Sequence, residues 1–201
     1  MGSLYRENIR KEEINMYERI QDFWNKYSKK ADEDIDNINI LMMMDSIENF
    51  FECKTYKKYE LVLKFCKENN IHRIYDIGCA FGFQSEIFLN SSVTYIGIDE
   101  GTQKFWNNNK FQYIIGHYPF KIKAQKNDLA VSSLCLTWNC YLHEKEKTLR
   151  EQCKALERDF AHCLLYITKD KIDFVNKYFK ENKVLSKDRF GTGFVYFSNK
   201  N

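Results

Sequence analysis

The chain has 201 residues, 44% of them hydrophobic and 29% charged, enough for one ordinary core and too few for two. Lys and Arg number 31 against 28 Asp and Glu, a net charge of +3, so composition carries no strong electrostatic footprint of a nucleic-acid binder. No run approaches the roughly 18 apolar residues of a membrane helix, and the charged N-terminus is unlike a secretory signal, so a protein without membrane association, located in the cytoplasm, is expected.

The first third reads as helical. Apolar residues at helical spacing run from Ile9 and Ile14 through Ile20, Phe23, Trp24 and Tyr27, a second pattern covers about 35–50, and a third covers 57–69 with Asn69-Asn70 as its stop. Seven of the eight glycines, all but Gly2, fall between Gly78 and Gly193, and the pattern changes accordingly. Residues 73–77 read as a short buried strand, followed by Gly78-Cys79-Ala80-Phe81-Gly82 and a helix over 84–89. Further strands are expected at 93–98, 112–115, 129–134 and 163–167, with helices over 144–157 and 172–182. Residues 183–185 and 193–197 flank a turn-rich loop suited to a hairpin. Strands alternating with helices require a parallel sheet with crossover helices. The expected fold is α/β, with antiparallel pairing from the closing hairpin and a helical N-terminal extension over 1–56 ahead of a main domain over 57–201.

Seven cysteines are present (Cys53, Cys66, Cys79, Cys135, Cys140, Cys153 and Cys163), none in a C-x-x-C pair. Buried free thiols in a reducing compartment are expected, rather than disulfides or a metal site. His72, His143 and His162 have no neighbours at ligand spacing and read as structural or surface residues.

The segment that carries chemistry is Asp76-Ile77-Gly78-Cys79-Ala80-Phe81-Gly82. Glycine directly after a strand allows positive φ and close approach of backbone to a ligand, and ligands of open parallel sheets lie beyond the carboxyl ends of the strands. The spacing differs from G-x-G-x-x-G, because Ala80 and Phe83 stand at the second and third glycine places. No Walker lysine follows. Asp76, two residues before Gly78, would repel a pyrophosphate but suits a ligand bearing an ammonium group. Asp99 ends the second strand, where a carboxylate accepts hydrogen bonds from ribose hydroxyls.

Asp-x-Gly-x-x-x-Gly after strand one, Asp99 after strand two and the terminal hairpin together resemble the class I S-adenosylmethionine-dependent methyltransferases over about residues 57–198. The resemblance implies a Rossmann-like, seven-stranded, mostly parallel sheet with S-adenosyl-L-methionine as cofactor and S-adenosyl-L-homocysteine as product. It puts Asp76 near the methionine end, directly or through water. It lines the cofactor with the backbone of Gly78, Cys79, Ala80, Phe81 and Gly82, and holds the ribose on Asp99. His117 replaces the Asp that many members carry after strand three; it either accepts from the adenine amine or satisfies a loop backbone.

Ser133 belongs to the stretch Ser132–Tyr141 that resembles the S-x-L-x-L-x-W segment of small-molecule and carrier-protein methyltransferases. Trp138 and Tyr141 form either an aromatic wall at the acceptor or part of the core. Trp24 and Tyr27 resemble an aromatic lead-in that closes over the cofactor, the alternative being plain helix packing. A methyltransferase of a small or carrier-bound molecule is the expected activity. Two other readings stay open: a catalytically inactive interaction protein on the same fold, and a small RNA or protein methyltransferase. No catalytic residue is assigned; a base, if one is needed, would be His117, His143 or an acidic residue of the N-terminal helices.

Overall fold

The computed structural model describes residues 15, 16, 18–20, 22, 55–99, 109–133, 145–187 and 192–199. The chain divides into two units, Met1–Lys57 and Lys58–Asn201. In the first, the described residues between Asn15 and Asp22 are helical, with Met16 and Ile20 buried one turn apart and Asn15, Glu18, Arg19 and Asp22 exposed. Among the described residues, no helix is long and apolar enough to cross a membrane.

The second unit is built on a sheet of seven strands: β1 (Arg73–Ile77), β2 (Thr94–Asp99), β3 (Gln112–Ile115), β4 (Asp128–Ser133), β5 (His162–Ile167), β6 (Glu181–Val184) and β7 (Gly193–Ser198). Their order is β3-β2-β1-β4-β5-β7-β6. The first five run parallel, while β7 lies antiparallel to both β5 and β6. The Rossmann-like sheet with a closing antiparallel hairpin is therefore the observed architecture.

Helix α1 (Thr55–Glu68) buries Tyr59, Val62, Phe65 and Cys66, the spacing that puts side chains on one face. These join Ile74, Tyr95, Leu129, Val131, Leu164, Tyr166 and Phe194 on one side of the sheet. Each large apolar side chain so buried contributes about 1.5–3 kcal/mol. The helix ends where Asn70 takes a left-handed φ of 53° and the Ile71 amide donates back to Cys66 O at 2.9 Å, satisfying a terminal carbonyl. On the opposite side, helix α2 (Lys145–Asp159) contributes Leu149, Cys153, Ala155 and Leu156 to a core with Tyr75, Ile77, Ile96, Ile98, Cys163 and Leu165. Cys66, Cys79, Cys153 and Cys163 are buried and free.

Two elements differ from the sequence reading. Instead of an α-helix over 84–89, residues Phe83–Phe88 form a 3-10 helix in which Phe83, Gln84, Ser85, Glu86 and Phe88 are all buried. Bonds such as Ser85 N to Gly82 O and Leu89 N to Glu86 O are of i→i+3 type, the tighter winding favoured in short pieces. The helix expected over 172–182 is shorter: α3 covers Lys169–Val175, and 181–184 is strand β6. Pairing of Glu181 with Ser198 and of Asn182 with Phe197, together with Phe179 against Phe197, extends the sheet. Local helix propensity yields there to tertiary pairing.

Candidate functional site

The residues singled out by the sequence converge at the carboxyl ends of β1 and β2. Beyond Ile77 the chain folds back over the end of β2: the Gly78 and Cys79 amides donate to Ile98 O at 2.8 and 3.1 Å. The Ala80 amide donates to Asp99 Oδ2 at 2.8 Å, and the Gly82 amide closes the turn on Cys79 O at 2.9 Å. Ala80 has φ 49°, a left-handed conformation that costs a residue with a Cβ about 1–2 kcal/mol. The loop is thus held by Asp99, the residue expected to face a ribose.

Asp76 lies under this loop and is completely buried. Its Oδ1 accepts from the Tyr59 hydroxyl at 2.7 Å, and its Oδ2 accepts from the Tyr95 hydroxyl at 2.7 Å and the Gln84 side-chain amide at 2.6 Å. Gln84 also donates to Cys79 O at 3.0 Å. One carboxylate therefore ties α1, β2 and the 3-10 helix to the underside of the loop. Burial pushes the Asp76 carboxyl up to about 6, and the hydroxyl and amide donors pull against that rise. Asp76 has its donors within the protein and supports the loop rather than facing outward.

Tyr113 of β3 occupies the space that two glycines leave. A Cβ on Gly82, whose φ is 73°, would stand 2.6 Å from the Tyr113 ring, and one on Gly97 would stand 2.5 Å from that ring and 2.8 Å from Cys79 Sγ. The Tyr113 hydroxyl reaches Ser85 Oγ at 3.3 Å. Gly82 was expected to admit a ligand; here its missing side chain admits a tyrosine that packs the loop onto β2.

Two further predicted residues, His117 and Ser133, fall among the described residues. The Gly116 amide donates to Asp99 O at 2.9 Å, which brings the loop carrying the exposed His117 beside the end of β2. The connector after it is secured by the buried Asp159, whose Oδ2 accepts from the Ile122 amide at 3.3 Å and whose carboxylate receives both Nε and Nη2 of Arg158. Ser133 is half-buried at the end of β4 and pairs across to Tyr166 of β5. Its neighbour Ser132 donates to Ile77 O at 3.0 Å, which locks β4 to the strand end that precedes the loop. Trp24, Tyr27, Trp138, Tyr141 and His143 lie outside the described residues.

Sequence reasoning missed Tyr59, Tyr95, Gln84 and Tyr113. Alternation along β2 was the available signal: Tyr95, Gly97 and Asp99 share one face, and Gly97 pairs with Asp76. A tyrosine on the face of a buried carboxylate is a natural partner.

Asp99 places a half-buried carboxylate acceptor at the rim with the glycine-containing loop against it, and Asp76 places a second carboxylate beneath. Among the described residues, no group of His, Cys, Asp and Glu side chains could hold a metal ion.

No protein-family model matches the sequence, and no curated protein matches it either. Solved structures do match in fold. An S-adenosylmethionine-dependent methyltransferase from Clostridium acetobutylicum superposes with a TM-score of 0.58 at 13% identity, over 80% of this chain and 100% of that one. A TehB-like S-adenosylmethionine-dependent methyltransferase from Corynebacterium glutamicum gives a TM-score of 0.52 at 14% identity, over 90% and 97%. The bifunctional kinase-methyltransferase WbdD matches with a TM-score of 0.51 at 12% identity, over 74% of this chain. The chain spans only 39% of the length of that protein. The fold is that of S-adenosylmethionine-dependent methyltransferases.

Proposed function

We propose that this protein binds S-adenosyl-L-methionine and transfers its methyl group to a small or carrier-bound molecule. The observation that carries the reading is the clasp between loop and strand end. The Ala80 amide, 2.8 Å from Asp99 Oδ2, holds the carboxylate at the rim, where ribose hydroxyls can donate to it. A preorganised acceptor of this kind orients a ligand without further ordering cost.

In this reading the backbone of Gly78–Gly82 lines the cofactor, His117 flanks the adenine side and Ser133 the side toward the acceptor. Asp76 works from beneath as a positioning residue, holding Gln84 and through it the Cys79 carbonyl. When bound, the sulfonium supplies an electrophilic methyl group, so the protein contributes chiefly orientation and electrostatics.

The test is incubation with methyl-labelled S-adenosylmethionine and separate pools of small metabolites, carrier-bound metabolites, RNA and protein. Label is expected in one of the first two pools and lost in Asp99→Ala. Label in RNA or bulk protein would reassign the acceptor, and tight cofactor binding without transfer to any pool would leave an interaction protein on a methyltransferase fold.

A further inference from the structure

Resting on that reading, we infer that cofactor binding is linked to the charge on Asp76: the loop over residues 78–82 keeps its binding form above the carboxylate and loses it when Asp76 takes up a proton. One peptide group carries the link. The carbonyl of Cys79 and the amide of Ala80 belong to the same rigid peptide plane. Gln84, itself bound to Asp76 Oδ2 at 2.6 Å, donates to that carbonyl at 3.0 Å. The amide at the other side of the plane donates to Asp99 Oδ2 at 2.8 Å. The buried carboxylate and the rim carboxylate therefore grip one plane from its two sides, and a shift of Gln84 tilts the Ala80 amide away from Asp99.

The cage is built for the charged form. Tyr59 donates to Oδ1, and Tyr95 and Gln84 donate to Oδ2, at 2.7, 2.7 and 2.6 Å. Asp76, Tyr59, Tyr95 and Gln84 are all buried, so bulk water does not make good a bond that changes. A proton on Oδ1 would oblige the Tyr59 hydroxyl to turn and accept, and its own hydrogen to find another acceptor. A proton on Oδ2 meets Tyr95 and Gln84, and the Gln84 nitrogen is a donor only. Turning that amide over would set its oxygen against the Cys79 carbonyl, on which the Gly82 amide also closes the turn at 2.9 Å. Protonation besides takes the charge out of all three bonds, and charge-assisted bonds are roughly twice as strong as neutral ones.

Asp76 is the member of this cluster that changes charge near neutrality. Burial raises its carboxyl to about 6 against the pull of its three donors, and Asp99 adds to the rise. The titratable groups around it are Tyr59 from α1, Cys79 from the loop, Tyr95 and Asp99 from β2, and Tyr113 from β3. The 3-10 helix contributes the uncharged Gln84, and β4 places Val131 alongside. Burial holds Tyr59, Cys79, Tyr95 and Tyr113 above their ordinary values, so these four keep their protons. The ionised fraction of Asp76 then falls from about nine-tenths at pH 7 to about one-tenth at pH 5. Affinity scales with the fraction of the competent form. By reciprocity the bound cofactor draws the Asp76 value down, and binding in this range releases a proton.

The experiment is calorimetric titration of S-adenosylhomocysteine into the full chain from about pH 5 to about pH 8, with thermal unfolding recorded at each pH to show that the chain is folded. In parallel, NMR of carboxyl-labelled aspartate follows Asp76 with and without saturating S-adenosylhomocysteine. Histidines change charge in the same range, and the NMR arm separates them because it reads Asp76 itself. Affinity is expected to fall about tenfold between pH 7 and pH 5, and the Asp76 midpoint to lie lower in the loaded chain. Asp76→Asn, which also identifies the Asp76 signal, should bind weakly with no pH dependence. Tyr95→Phe removes a donor from the charged form, so its affinity curve should move up by about one pH unit and regain wild-type affinity by about pH 8. A purely structural loss would lower affinity by the same factor at every pH. The inference is overturned if the folded wild type binds equally at pH 5 and pH 7, if the Asp76 midpoint is the same with and without S-adenosylhomocysteine, or if Tyr95→Phe weakens binding uniformly. Failure of S-adenosylhomocysteine to bind even at about pH 8 would overturn the cofactor reading and this inference with it, and is seen before the pH is lowered.

Discussion

Tyr95 donates its hydroxyl to the fully buried carboxylate of Asp76 at 2.7 Å, and that contact shows how this domain keeps a charge beneath the loop over residues 78–82. A buried carboxylate is tolerated only when its oxygens are satisfied. Here two tyrosines and a glutamine supply three donors from three different elements. The loop over residues 78–82, α1 and β2 are consequently tied together through one carboxylate.

That arrangement predicts a pH-dependent cost for removing a donor. Burial raises the Asp76 carboxyl from 3.8 to about 6. Because the folded-state value lies above the unfolded one, the folded chain holds this proton more tightly; the stability gained from it is full below about pH 4 and is lost as pH rises through about 6. Tyr95→Phe withdraws a hydrogen bond from the charged form, a loss of about 1.5–3 kcal/mol near neutral pH. Urea unfolding should show that loss shrinking by about 1 kcal/mol or more between about pH 7 and pH 5, where Asp76 is protonated. In the Asp76→Asn background the Tyr95→Phe loss should not vary with pH over that range. A Tyr95→Phe loss that is constant with pH in the wild-type background contradicts the cage.

Ala80 makes a different prediction. Its φ of 49° is the conformation glycine adopts freely, so Ala80→Gly removes strain of about 1–2 kcal/mol and restores about 0.4–1 kcal/mol of unfolded-chain entropy. The net gain of about 0.5 kcal/mol should raise the calorimetric unfolding midpoint by about 1–2 °C for a chain of this size. A lowered midpoint would mean that the Ala80 methyl group makes packing contacts worth more than the strain.

The Tyr113 ring against Gly97 gives a reciprocal test. Gly97→Ala puts a methyl group 2.5 Å from that ring and 2.8 Å from Cys79 Sγ, an overpacking expected to cost about 1–3 kcal/mol. Tyr113→Leu opens that space, so it should recover much of the loss when combined with Gly97→Ala. Denaturant unfolding of the four chains measures the coupling directly. Strict additivity would show that the ring and the glycine do not share one space.

The sheet was legible because its strands are short apolar runs bounded by glycine and polar residues, and residues 73–77 and 163–167 show this most plainly. That Asp76, Gly78, Gly82 and Asp99 lie together was legible because a tight turn directly after a strand needs the backbone freedom of glycine and β1 and β2 are neighbours in the sheet. The 3-10 winding of Phe83–Phe88 was not, since five of its six residues are buried and leave no amphipathic period to read. Strand β6 was hidden for a related reason: its four residues, Glu181 to Val184, are all exposed, and only pairing with β7 makes them a strand. The cage around Asp76 was missed because Tyr59 and Tyr95 read as apolar positions in their own elements. Their hydroxyls gain a purpose only when α1 and β2 meet over β1.

The most direct measurement is calorimetric titration of S-adenosylhomocysteine into the full chain, alongside Asp99→Ala. The account predicts micromolar binding to the wild type and a loss of at least about tenfold in Asp99→Ala, equivalent to about 1.4 kcal/mol, with the thermal unfolding of the unliganded variant recorded to show that it is folded. Absence of binding to the folded wild type, or equal binding to folded Asp99→Ala, would contradict the assignment of this rim as a cofactor site.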